Sequence, residues 1–178
     1  TGESVALVDD LNQTIRDVPD FPRPGILFKD ITPVLQNPVL LRTAVGLFVD
    51  RHRDAGIDKV AGIESRGFIF GAPLAHELSV GFVLVRKQGK LPSETIEQAY
   101  GLEYGEAVVE LHTDAVRQGE RILLVDDLLA TGGTAAASAQ LIEQLGGIVV
   151  EVDFLIELGF LNGREKLKGL DVFAPIQY

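Results

Sequence analysis

The chain has 178 residues, 46% of them hydrophobic and 24% charged, with Lys plus Arg 16 against Asp plus Glu 26 and a net charge of −10. That length suits one globular domain with a real core, and the acidic balance argues against a nucleic-acid binder, which needs a basic face. Cysteine is absent, which excludes a disulfide framework, a cysteine zinc site and a thiol nucleophile. The apolar runs at 80–85 and 122–125 are too short to span a bilayer. With no basic and apolar leader at the start of the sequence, a cytoplasmic setting is expected.

In chain order, residues 4–17 predict a short amphipathic helix, with Val5, Leu7, Val8, Leu11 and Ile15 near helical spacing. Asp20-Phe21-Pro22-Arg23-Pro24-Gly25 cannot be regular, and 26–33 is expected to be extended or looped. Asn37-Pro38 opens a helix, Asn as cap and Pro at the first helical position, which should run to about Ala55 with Gly56 ending it. Alternation follows: strand 59–63, turn 64–67, helix 68–78, strand 81–86. Residues 87–105 are polar with no clear period, a length that marks lids or binding loops. Strand 106–112, strand 121–126, loop 127–133, Ala-rich helix 134–145, strand 148–156 and a last strand at 171–175 complete the chain. The pattern predicts an α/β fold with a mostly parallel central sheet flanked by helices, and ligands in such sheets bind at the carboxyl ends of strands.

The most informative segment is Ile122-Leu123-Leu124-Val125-Asp126-Asp127-Leu128-Leu129-Ala130-Thr131-Gly132-Gly133-Thr134. A buried strand ends in two carboxylates, and a short loop enters a helix through two glycines flanked by threonines. A helix start offers unpaired N–H groups and a positive dipole end. Glycine lets a ligand approach the backbone, and the Thr hydroxyls add donors, so the segment suits a phosphate monoester. Two adjacent acids at the strand end match the two hydroxyls of a ribose. Neither Gly-Lys-Ser/Thr nor Gly-x-Gly-x-x-Gly is present, which disfavours nucleoside-triphosphatase and dinucleotide loops.

This segment resembles the signature of the type I phosphoribosyltransferases. The resemblance implies that Asp126 and Asp127 hold the ribose of phosphoribosyl pyrophosphate (PRPP), and that Ala130, Thr131, Gly132, Gly133 and Thr134 hold its 5′-phosphate. Three other segments resemble the adenine phosphoribosyltransferase branch of the family, in the same order and over nearly the whole chain. Residues 20–33, within an N-terminal hood at 1–34, are similar to its hood segment. Residues 62–71 resemble its pyrophosphate loop, and Arg86-Lys87-Gln88-Gly89-Lys90-Leu91-Pro92 with Tyr100-Gly101-Leu102-Glu103-Tyr104-Gly105 its mobile lid, 87–105. Gly163-Arg164-Glu165-Lys166-Leu167 also matches.

The resemblance then implies further roles. Phe28 stacks on the purine while backbone groups of Leu27 and Lys29 read its amino edge. Glu64, Ser65 and Arg66 form the pyrophosphate loop with a cis peptide joining Glu64 and Ser65, although Glu64 stands where the family commonly has Asp. Arg86, Lys87 and Lys90 are a cationic cluster suited to focus an anionic substrate. On the lid, Glu103 is the proton-transfer group and Tyr104 its neighbour. Arg66, Glu103, Asp126 and Asp127 are therefore the catalytic candidates. Magnesium is expected to arrive on PRPP, since no dedicated cluster of metal ligands stands out. A homodimer is expected, with neither nucleic acid nor membrane as partner. His52, His76 and His112 match no motif and read as structural or surface residues. Three rivals stay open: the same chemistry on another base, a regulator that senses the sugar phosphate, and a sugar-phosphate module without a lid.

Overall fold

The computed structural model describes residues 2–178 and divides into two compact units, one ending at Leu47 and one covering Phe48–Tyr178. The hood segment 1–34 lies within the first. That unit begins with helix α1, Gly2–Thr14, followed by strands β1, Arg16–Pro19, and β2, Leu27–Asp30. The strands pair as an antiparallel hairpin, Val18 opposite Phe28. Of the predicted apolar stripe only Leu11 and Ile15 are buried, and Ile15 lies past the helix end, while Val5 remains 62% exposed. Residues 26–33 are not uniformly extended. After β2 the chain enters helix α2, Thr32–Gln36, with Pro33 in its first turn, where a missing N–H costs nothing. Asp30 accepts the Thr32 N–H at 2.9 Å just ahead of that turn. Helix α3, Pro38–His52, starts as expected, with Asn37 Oδ1 accepting the N–H groups of Val39 at 3.0 Å and Leu40 at 3.2 Å. It ends at His52, earlier than the expected Ala55.

The second unit holds an eight-stranded sheet. Its elements are β3, Lys59–Ile63; α4, Arg66–Leu78; β4, Gly81–Lys87; β5, Thr95–Gly101; β6, Glu106–His112; β7, Arg121–Leu129; α5, Gly133–Gln144; β8, Ile148–Glu157; β9, Val172–Phe173; and β10, Ile176–Gln177. The strand order is β10-β8-β7-β3-β4-β6-β5, with β9 also on β8. Strands β3, β4, β7, β8, β9 and β10 run parallel, whereas β5 and β6 form an antiparallel hairpin joined to β4. The two β-α-β crossovers, through α4 and α5, aim the carboxyl ends of β3, β4 and β7 at one rim.

Strand β7 is central, and Ile122, Leu123, Leu124 and Val125 are all buried, as a strand covered on both faces requires. Alternation divides them. Ile122 and Leu124 join Ala61, Ile63, Val152 and Phe154 in the core beneath Leu141 and Ile142 of α5. The intervening residues face the other side, where Phe48, Phe70 and Leu74 are fully buried.

Three features of this unit differ from expectation. Strand β7 runs three residues past Asp126, because β8 continues beside it and pairs Asp126 with Phe154 and Leu129 with Glu157. The connection to α5 is therefore only Ala130–Gly132. The stretch 87–105 is not featureless. It contains β5, whose half-buried Ile96, Gln98 and Tyr100 alternate with exposed residues and which pairs with β6 along its whole length. The expected final strand at 171–175 is broken into β9 and β10 at Ala174-Pro175.

Candidate active site

At the rim, a cavity of about 290 Å³ is lined by Glu64, Ser65 and Arg66 after β3, Arg86 and Lys87 at the end of β4, Tyr100 of β5, Asp126 and Asp127 of β7, and Thr134 of α5. It adjoins a smaller hollow of about 80 Å³ formed by Asp126 and 128–135 around the β7–α5 turn. Segments far apart in sequence thus place three acids and three cations around one opening.

Asp127 and Glu64 are each held by a neighbour from another segment. Asp127 is 5% exposed, and its Oδ2 accepts the Arg66 Nε–H at 2.5 Å. The Arg66 side chain stays 52% exposed, so part of its fork faces the opening. Asp126 Oδ1 accepts the Asp127 N–H at 2.8 Å. Burial, and after it the charge of Asp127, pushes the Asp126 carboxyl well above the usual carboxylate range. A carboxyl raised in this way and lining a cleft is a functional-site candidate.

The peptide joining Glu64 and Ser65 is cis. Glu64 lines the cavity, but its carboxylate is engaged within the protein. Oε1 accepts the Lys87 N–H at 2.5 Å and Oε2 accepts Arg86 Nη2 at 3.3 Å. Burial works to raise the Glu64 pKa, but these two donors outweigh it and hold the carboxyl below its ordinary value. Glu64 thereby ties the β3–α4 turn to the end of β4. Arg86 also donates to Lys90 O at 3.3 Å, and its Nε is buried with no hydrogen-bond partner among the described residues. Lys90 sits in the turn after β4 and does not line the cavity.

On the far side, Gly132 has φ +83 and caps α5. Ala130, Thr131, Gly132, Gly133 and Thr134 all border the smaller hollow, where the first N–H groups of α5 emerge. Glu103 and Tyr104 lie in the turn joining β5 to β6, closed by Leu102 N–H to Gly105 O at 2.9 Å. Tyr104 is 78% exposed, and neither residue borders the cavity. Leu27, Phe28 and Lys29 belong to β2 in the first unit, where Phe28 packs edge-on against Phe21 with ring centroids 5.1 Å apart and Lys29 Nζ pairs with Asp17 at 2.5 Å. Sequence reasoning placed Tyr100 only within the lid segment, although it lines the cavity. It also left the segment after β8 unexplained, where Arg164 grips Glu157.

A second cluster lies further back on β8. His52, Glu151 and Asp153 each bring one ligand atom within 4.8 Å of the others, a potential metal-binding group. In place, His52 Nε2 is 2.6 Å from Asp153 Oδ2, and Arg51 Nε donates to Glu151 Oε1 at 2.6 Å. His52 is buried, and His76 is on the surface, with 87% of its side chain exposed. His112 accepts the Ser93 N–H at 3.3 Å. Among the described residues no helix is long and apolar enough to cross a membrane.

The chain is similar to known proteins along most of its length. A phosphoribosyl transferase domain family matches residues 30–159. An adenine phosphoribosyltransferase of Desulfosudis oleivorans is 53% identical over 169 residues, 95% of this chain and 98% of that one. The crystal structure of adenine phosphoribosyltransferase from Thermoanaerobacter pseudethanolicus superposes with a TM-score of 0.93 at 51% identity, covering 96% of this chain and 99% of that one. The Saccharomyces cerevisiae adenine phosphoribosyltransferase, solved with an imino-altritol bisphosphate and adenine, gives 0.93 at 41% identity over 97% and 99%. The chain belongs to the phosphoribosyltransferase family, among its adenine phosphoribosyltransferases.

Proposed function

We propose that this protein transfers the 5-phosphoribosyl group of PRPP to adenine, giving AMP and pyrophosphate, a purine-salvage reaction. The observation that carries the reading is the rim itself. Paired acids near the end of β7 are followed, after a short turn, by a glycine-capped helix start, and Arg66, Arg86 and Lys87 stand around the same opening. A ribose with an anion at each end fits that order of charges.

In this reading the 5′-phosphate takes the N–H groups and hydroxyls of Ala130, Thr131, Gly132, Gly133 and Thr134. Asp126 and Asp127 hold the ribose hydroxyls. Pyrophosphate is bound by the Ser65 turn and by Arg66 and Lys87, with Arg86 Nε–H as a further donor and Lys90 adding charge at the mouth. Glu64 acts by fixing the Arg86 guanidinium and the Lys87 backbone. The bond from the anomeric carbon to pyrophosphate breaks, and a ring nitrogen of adenine bonds to that carbon while giving up its proton. Cations stabilise the departing anion, and the acids favour the positive charge that develops on the sugar. Leu27, Phe28 and Lys29 take adenine, with stacking on Phe28 worth about 1–3 kcal/mol. Glu103 receives the purine proton when 87–105 closes as a lid with Tyr104, excluding water from the activated sugar.

Magnesium fits as a companion of the substrate. Hard oxygen donors line the cavity, but Glu64 and Asp127 are already engaged by Lys87, Arg86 and Arg66, so the ribose and pyrophosphate oxygens would supply much of its coordination. When bound, it neutralises the leaving group. The working form is a cytoplasmic homodimer that uses neither nucleic acid nor membrane, in keeping with a net charge of −10.

The test is product formation from PRPP, magnesium and each base in turn. AMP from adenine, lost when Asp126 and Asp127 are both changed to Asn, is the expected result. Equal turnover of hypoxanthine would overturn the assignment of the base. Ribose-phosphate binding without any turnover would overturn the assignment of an enzyme.

A further inference from the structure

The turn between β7 and α5 leans on a backbone from elsewhere in the chain. A Cβ on Gly132 would overlap the carbonyl of Gly163, and a Cβ on Gly163 would overlap the carbonyl of Ala130 and the side chain of Leu129. The two peptide segments are therefore in direct contact, with no room for a side chain between them. Whatever fixes Gly163 fixes the outer wall of the phosphate turn.

Gly163 opens a short 3-10 turn, Gly163–Leu167, after Asn162 in the left-handed region. One end of this turn is anchored by Leu167, which is buried in the core. The other is anchored by Arg164. Its Nε lies 2.8 Å from Glu157 Oε1 and 3.0 Å from Oε2, Nη2 donates to Oε2 at 2.7 Å, and Nη1 donates to Val172 O at 3.2 Å. Glu157 is 7% exposed. It closes β8 opposite Leu129, the last residue of β7, and Leu158 N–H donates to Leu129 O at 2.9 Å. A planar guanidinium held on both carboxylate oxygens resists rotation in a way one hydrogen bond does not. All three nitrogens of Arg164 are engaged within the protein, and Arg164 borders neither the cavity nor the smaller hollow.

We propose that Glu157 and Arg164 are positioning residues for PRPP. They clamp Gly163 against the β7–α5 turn and so set its grip on the 5′-phosphate without touching it. The inference rests on the reading of that turn as the phosphate site, and the base plays no part in it. Misplacement by about an ångström costs on the order of 100-fold where geometry governs a step, and loosening one wall of an intact turn costs less.

The experiment uses the full chain with Arg164→Gln, Arg164→Lys, Glu157→Gln and the Arg164→Gln/Glu157→Gln pair. KM is measured for PRPP and for adenine, and ribose 5-phosphate binding is measured by calorimetry. Arg164→Gln should raise the KM for PRPP and the Kd for ribose 5-phosphate about tenfold, with KM for adenine within about twofold. Arg164→Lys, which keeps charge but not the fork, should fall between. The double variant should be no worse than either single one, since both remove the same contact. Lower thermal stability with unchanged KM for PRPP and unchanged Kd would overturn the proposal and leave a structural ion pair. Should Arg164→Gln not fold, Arg164→Lys and Glu157→Gln decide the matter by the same two constants. A protein that binds ribose 5-phosphate but makes no AMP refutes the proposed reaction and still tests the clamp through the Kd. A protein that binds no ribose 5-phosphate overturns both.

Discussion

Gly132→Ala separates two reasons for a glycine. Gly132 and Gly119 share φ +83, but a Cβ at Gly119 meets nothing within 4 Å, whereas at Gly132 it overlaps the Gly163 carbonyl. Gly119→Ala therefore carries only the left-handed penalty of an L-residue, about 1–2 kcal/mol. Gly132→Ala carries that and a collision with backbone that no rotamer relieves, worth about 1–3 kcal/mol more by analogy with overpacked cores. In a chain of this size about 2–4 °C of melting temperature accompanies each kcal/mol, so Gly132→Ala should melt roughly 2–12 °C below Gly119→Ala. Relief of the overlap must also move the turn proposed to receive the phosphate. KM for PRPP should thus rise at least about tenfold in Gly132→Ala and stay parental in Gly119→Ala. The assays are thermal unfolding and initial-rate kinetics on the two variants and the parent. Equal melting temperatures, or a parental KM for PRPP in Gly132→Ala, would refute the claim that Gly163 confines the turn.

Three further outcomes are expected. Phe28→Ala should raise KM for adenine roughly 5- to 150-fold, the equivalent of about 1–3 kcal/mol of stacking, with KM for PRPP unmoved; an unchanged KM for adenine removes Phe28 from the base site. Asp126→Asn should cut turnover by about 100-fold or more yet leave the free protein at least as stable as the parent at neutral pH. The Asp126 pKa is raised on folding, so the parent's stability from this group is present at low pH and is lost as pH rises through the folded value. The variant's advantage in thermal unfolding should therefore grow with pH, and a constant difference would contradict the burial argument. Asp153 is pushed up to about 6, by burial above all, against the opposing hydrogen bond of His52. Between the ordinary aspartate value and that figure the parent should lose stability relative to Asp153→Asn as pH rises, by at most about 1.4 kcal/mol per pH unit. Urea unfolding at pH 4, 5, 6 and 7 measures it, and a flat difference is the refuting result.

The β7–α5 turn was legible because its signals are local. Four consecutive apolar residues, two acids, a glycine pair and an Ala-rich helix occur within one short stretch, and each constrains its neighbours. Strand β5 was not legible, because among its inward residues Ile96, Gln98 and Tyr100 only one is aliphatic, and the strand exists by pairing with β6. Glu64 was assigned to pyrophosphate by its neighbours in sequence, but its carboxylate is spent on Arg86 and the Lys87 backbone, which folding brings to it from β4. The same limit applies to glycine. One required by a positive φ announces itself through turn chemistry, as Gly132 does ahead of a helix. One required by exclusion, such as Gly163, does not, since its reason is another segment's carbonyl. Gly132 is subject to both constraints, and this fixes what can replace it. Asparagine tolerates the left-handed region and should recover most of the stability lost in Gly119→Ala when placed there, but at Gly132 its Cβ meets the same carbonyl as alanine's, so Gly132→Asn should remain as impaired for PRPP as Gly132→Ala.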